Sequence, residues 1–149
     1  MSKDTLYETD FYAWTVHQSM LLRQGTLTEL DLENLAEEIE SLGKSQQREL
    51  ESRLHVLLTH LLKWRYRPAG RQRSRSWQRT ILTQRLDLEL LLRDSPSLRA
   101  RLSRVLAERY PRARTHEARE MGLPLATFPL VCPWTDEQVL DDDFWPEEE

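Results

Sequence analysis

Residues 32–64 read LENLAEEIESLGKSQQRELESRLHVLLTHLLKW. Their apolar members include Leu32, Leu35, Ala36, Ile39, Leu50, Leu54, Leu57, Leu61 and Trp64. At 100° per residue all of these fall on one face, the spacing of an amphipathic α-helix, and the phase survives across Gly43. A continuous helix here would be roughly 50 Å long. Gly43 costs ~1 kcal/mol in a helix interior relative to Ala. The preserved phase nevertheless predicts continuity or a mild bend, with Asp31 as the N-cap and Pro68 closing the helix near residue 66.

The flanking segments are read outward from this helix. Phe11, Trp14, Gln18, Leu21 and Leu22 predict a helix capped by Thr9 or Asp10 and ended by Gly25, after a polar lead-in over residues 1–9. A helix over 76–93 carries Trp77, Ile81, Leu88, Leu91 and Leu92 on one side. On the other it carries Leu82, Leu86 and Leu90, so it is buried between neighbours or sits in an oligomer interface. Ser95-Pro96 starts a further helix that closes at Gly122, with Pro111 expected to kink or restart it.

After Gly122 three prolines in ten residues exclude a long helix or a central strand, and Thr135-x-x-Gln138 opens one short helical turn. Leu123, Leu125, Phe128, Leu130, Val131, Trp134, Val139, Leu140, Phe144 and Trp145 are too many large apolar groups to leave in water. The tail is therefore expected to wrap across the helices, with Trp134 and Trp145 as anchors. The fold class expected is all-α: one helical domain over 1–149, with about four main helices, one of them long (about 32–66), and an extended apolar tail (123–149) packed on the bundle.

Composition narrows the function classes. The 149 residues include one cysteine, Cys132, which excludes an intramolecular disulfide framework and a Cys-based zinc site. No secretory h-region and no 18-residue apolar run occurs, so a soluble, cytoplasmic protein with no membrane partner is expected. The net charge of −4 hides a segregation. Residues 1–62 carry 5 basic and 11 acidic side chains, residues 63–119 carry 16 and 5, and residues 120–149 carry none and 9. Such blocks serve either an external polyanion or an internal acid–base match.

Several segments together resemble a bacterial family, number twenty-nine among the domains of unknown function. In order they are Tyr7-Glu8-x-Asp10-Phe11-Tyr12-x-Trp14, Leu35-Ala36-Glu37-Glu38-Ile39-Glu40, Leu58-x-His60-Leu61-Leu62-Lys63-Trp64, Ser76-Trp77, Pro96-Ser97-Leu98 and Phe144-Trp145-Pro146. The resemblance covers nearly the whole chain and implies an all-helical intracellular protein, without implying an activity. The family usually has Glu-Thr-Gly where this chain has Glu120-Met121-Gly122.

Three constellations carry chemistry. Glu38, Arg53, His60 and Trp64 border one edge of the long helix, as an ion-pair network or, in a weaker alternative, an enzyme or metal site around Glu38 and His60. No metal and no cofactor is expected, because nucleotide and phosphate-loop fingerprints are absent and His55 and His60, five apart, miss the i, i+4 zinc spacing. Cys132 has no sequence-adjacent base to activate it. Arg65, Arg67, Arg71, Arg73, Arg75 and Arg79 interleave with Trp64, Tyr66 and Trp77, the pattern of a nucleic-acid surface. The function expected is a non-catalytic α-helical interaction or self-associating module, whose partner is another protein or a second copy. The alternative is a nucleic-acid-binding protein using residues 65–79.

Overall fold

The computed structural model describes residues 3–67, 69–70 and 75–147, with side chains from residue 6 on. Pro68, Arg71 and Arg73, which figure in the sequence reading, lie outside them. Six α-helices occur among the described residues, and no strand: α1 Lys3–Thr9, α2 Phe11–Gln24, α3 Leu32–Tyr66, α4 Arg75–Asp94, α5 Leu102–Met121 and α6 Asp136–Leu140. None of the described helices is long and apolar enough to cross a membrane. The chain divides into two compact units, residues 1–45 and 46–149, with α3 continuous through Gly43.

The first unit is built on Trp14, which is 2 % exposed. Its indole N–H donates to the Asp31 carboxylate at 3.0 Å, and Phe11 stacks on it at 5.7 Å between ring centroids. Asp31 in turn caps α3: its carboxylate accepts from the Asn34 amide groups, and its own N–H donates to the buried Gln18 side chain at 2.9 Å. One aspartate therefore starts a helix and satisfies a buried indole. Asp10 caps α2 by accepting from the Ala13 N–H, and Gly25 ends it at φ +76°, a left-handed turn that Gly adopts without strain. Residues 3–9, expected to be a polar lead-in, are helical instead. The Tyr7 ring packs edge-on against Trp14 at 4.8 Å, and this tertiary contact outweighs the polar local sequence.

The second unit holds the main core. Leu50, Leu54, Leu57, Leu58, Leu61 and Leu62 of α3 are fully buried against Ile81, Leu88, Leu91 and Leu92 of α4 and Leu102, Val105, Leu106, Tyr110 and Ala113 of α5. Two sequence expectations are corrected here. Ser95 makes no side-chain cap, and Pro96–Arg101 form a 3-10 turn ahead of α5. Pro111 neither breaks nor restarts α5, which runs unbroken to Met121.

Much of the tail folds back onto this core. Phe128 is 1 % exposed and meets Tyr66 edge-on at 4.9 Å, while Trp145 lies 4.5 Å from Trp64. Two arginines and a tyrosine hold its backbone: Tyr110 donates to the Pro129 carbonyl at 2.7 Å, Arg114 to the Phe128 carbonyl, and Arg85 to the carbonyls of Val139 and Gln138. The Thr135 capping box forms. Leu125, Leu130 and Val131, counted among the buried apolar groups from sequence, are exposed, because the prolines around them turn this stretch over the surface.

Phe128→Ala should lower the unfolding free energy by about 3–5 kcal/mol, the range for deleting a buried aromatic. Urea denaturation followed by circular dichroism measures this, and a loss below ~1 kcal/mol would mean that the tail adds nothing to the core.

Candidate functional site

The residues singled out in the sequence take separate partners. Glu38, in the first unit, accepts from the Tyr7 hydroxyl. In the second unit Arg53 pairs with Glu49 at 2.9 Å and with Asp87 of α4 at 3.0 Å. The His60 Nδ1–H donates to the Val56 carbonyl at 2.8 Å, and burial pushes its imidazole down from the ordinary value. Trp64 packs on Trp145. Burial raises the Cys132 thiol, the opposite of what a nucleophile needs, and its S–H faces the Trp134 carbonyl at 3.5 Å.

Of the arginine-rich segment, Arg65 lies over the Tyr66 ring at 4.9 Å, and both residues line a cleft of about 480 Å³ with Trp134 and Phe144. Arg67, Arg75 and Arg79 are exposed, and Arg71 and Arg73 lie outside the described residues. Gly70 lies so close to the six-membered ring of the Trp77 indole that a Cβ there would collide with it, which explains a glycine at this point of the chain.

A second polar cluster, not singled out from the sequence, joins α3 to α5. The Lys63 ammonium lies 3.3 Å from Glu120 and 3.8 Å from Glu117, and the His116 Nε2 lies 3.2 Å from Glu120. Glu117 is fully buried, and neither of its carboxylate oxygens accepts a hydrogen bond. Burial lifts its carboxyl to about 7 even though Lys63 pulls it down. On the outer side an open cleft of about 930 Å³ is lined by His55, Arg112, Thr115, His116 and Glu120. The His55 and His116 rings meet edge-on at 5.8 Å, and the buried Nδ1 of His55 has no hydrogen-bond partner.

A signal for this cluster existed in the sequence. Leu102, Leu106, Tyr110, Ala113 and Glu117 recur at helical spacing, so Glu117 stands in phase with a buried apolar stripe. His116 and Glu120 are one turn apart on the same helix. Reading α5 for its apolar line alone passed over both facts.

A family model described as Domain of unknown function DUF29 matches residues 6–145. The chain belongs to this family. No curated protein and no solved structure matches it. The DUF29 family name carries no activity, so function has to be argued from the chain's own surfaces. At Glu120-Met121-Gly122, Gly122 caps α5 at φ +67° with Leu123 donating to the Ala118 carbonyl, so the helix end forms without a threonine at position 121.

Glu117 sets a pH dependence. Folding raises its carboxyl from the ordinary 4.5 to about 7, so the folded chain holds a proton there that the unfolded chain has lost. The associated stability is fully present below pH 4.5 and is lost as pH rises towards 7. Glu117→Gln should remove that slope and stabilise the protein at pH 8 by on the order of 1–3 kcal/mol. Thermal melts at pH 5 and pH 8 measure it, and an unchanged slope in the variant would show that Glu117 is not the titrating group.

Proposed function

We propose that this DUF29 protein is a non-catalytic helical module that associates with a second copy of itself. One observation carries the proposal: a single apolar stripe on α3 is covered at one end and open at the other. Leu50, Leu54, Leu57 and Leu61 are fully buried, whereas Leu32 and Ile39, in the same phase, are 68 % and 66 % exposed, and Leu42, towards the edge of that face, is 69 % exposed. On α2, Tyr12, Val16 and Met20 follow at i, i+4, i+8 and are also exposed. Exposed apolar side chains of this number on two helices are the mark of a contact surface.

Charge favours one occupant. Residues 1–45 carry nine acidic and three basic side chains, so two such faces repel each other. The complement is on α4. At 100° per residue Arg75, Arg79, Leu82, Leu86, Leu90 and Arg93 fall within a sector of about 80°, and all six are exposed, with Glu89 at the border. An acidic apolar face on one copy matches a basic apolar face on another.

Sedimentation velocity should show a dimer that weakens with salt. Leu86→Glu and Ile39→Glu should each give a monomer with an unchanged helical circular dichroism spectrum. Wild type that stays monomeric at its highest soluble concentration would overturn the proposal. If such a monomer also bound single-stranded nucleic acid at low salt, the function would move to the arginine-rich segment.

A further inference from the structure

We propose that His116, Glu117 and Glu120 form a binding site for a divalent cation of the Zn²⁺ class, with Lys63 holding the site's charge in the absence of metal. The His116 imidazole and the two carboxylates place one donor atom each within 4.8 Å of one another. The independent observation is Glu117. It is fully buried, and neither oxygen accepts a hydrogen bond. Once ionised, a buried carboxylate left so costs several kcal/mol, a cost relieved either by the proton it holds at lower pH or by a cation that completes it. The Lys63 ammonium does so only in part. At 3.8 Å from Glu117 it is beyond hydrogen-bond reach, because it leans towards Glu120 at 3.3 Å.

The donor set selects the ion. One imidazole and two carboxylates suit a borderline first-row cation better than Mg²⁺, which prefers oxygen ligands and keeps its waters. Ligand distances of about 2.0–2.2 Å put donors roughly 3.4 Å apart around a tetrahedral ion, so the trio must draw in by about 1 Å. His116 and Glu120 are on the exposed side of α5 and can turn to do it, whereas Glu117 is fixed by the core. Three protein ligands leave a fourth position open towards the cleft that His55 lines. Binding would move the Lys63 ammonium away, since a dication and an ammonium cannot share two carboxylates without repulsion.

Lys63 therefore makes the proposal sharply testable. Isothermal titration of the untagged full chain with ZnCl₂ at pH 7.5 should give one ion per chain. His116→Ala and Glu120→Gln should each weaken binding at least tenfold, and both positions are exposed enough for the fold to survive. Lys63→Met should tighten it, by about tenfold. His17→Ala, an exposed histidine on α2, should leave it unchanged. Co²⁺ in place of Zn²⁺ should give visible d–d bands that disappear in His116→Ala. No Zn²⁺ uptake by wild type, full affinity in a His116→Ala/Glu120→Gln double variant, or Mg²⁺ binding as tight as Zn²⁺ would each overturn the assignment.

Discussion

The second unit depends on a buried cation being satisfied. Arg85 sits in the middle of the α4 core face at 2 % exposure, where an unpaired guanidinium would be strongly unfavourable. It is stabilised in large part by residues more than fifty positions away: Nε donates to the Val139 carbonyl at 2.8 Å and Nη2 to the Gln138 carbonyl at 3.3 Å, while the buried Nη1 has no hydrogen-bond partner. Both carbonyls lie at the C-terminal end of α6, where a helix leaves its last carbonyls open to donors from outside; the Gln138 carbonyl also accepts from the Asp141 N–H at 3.3 Å. One contact thus serves both a buried charge and a helix end. The Trp145 ring 5.5 Å from the guanidinium closes the arrangement, and Asp141 and Asp142 hold its charged form against burial. These two acids of the tail thus act on an arginine inside the core, one part of an internal acid–base match.

This contact explains why a segment with nine acids and no base in its last thirty residues is ordered at all. Net charge argues for a solvated tail, yet the tail's backbone carbonyls are what the buried donors require. Tyr110 takes one at Pro129, Arg114 one at Phe128, and Arg85 two more. The interaction runs between cationic or phenolic side chains and main-chain oxygens, which no count of acidic side chains registers. Part of the basic middle of the chain is spent in this way inside the molecule. Lys63 and Arg109 account for more of it, in ion pairs with Glu117 and Glu120, and with Glu51.

What the sequence made legible follows from periodicity. The helix boundaries at Asp10, Gly25, Asp31 and Gly122 were readable because each rests on local chemistry, a short acceptor at a first turn or a glycine in a left-handed conformation. The continuity of α3 was readable because a stripe keeps its phase only if the helix does. Helix α1 was not, since it is held by Tyr7 against Trp14, a contact invisible to local propensity. Pro111 does not restart the helix for a related reason: one lost backbone bond is a local cost of ~3 kcal/mol, and the packing of Tyr110 and Ala113 on either side outweighs it.

The two buried charges share a rule that reaches beyond these misses. Ile81, Arg85, Leu88 and Leu92 are spaced by four, three and four residues, and so are Leu106, Tyr110, Ala113 and Glu117. Each charge stands where the helix requires an apolar group, so burial is imposed by its neighbours and not chosen by the residue. They differ in outcome. Arg85 meets carbonyls that need a donor and becomes a structural clasp, whereas Glu117 meets a lysine that also serves Glu120 and stays under-satisfied. A charge in phase with a core stripe is legible from sequence alone; whether it is structural or poised for a ligand depends on what the fold delivers opposite it. In this chain the fold gives the arginine two main-chain acceptors and leaves only its Nη1 without a partner, whereas the glutamate has an ammonium at 3.8 Å and no hydrogen bond to either oxygen.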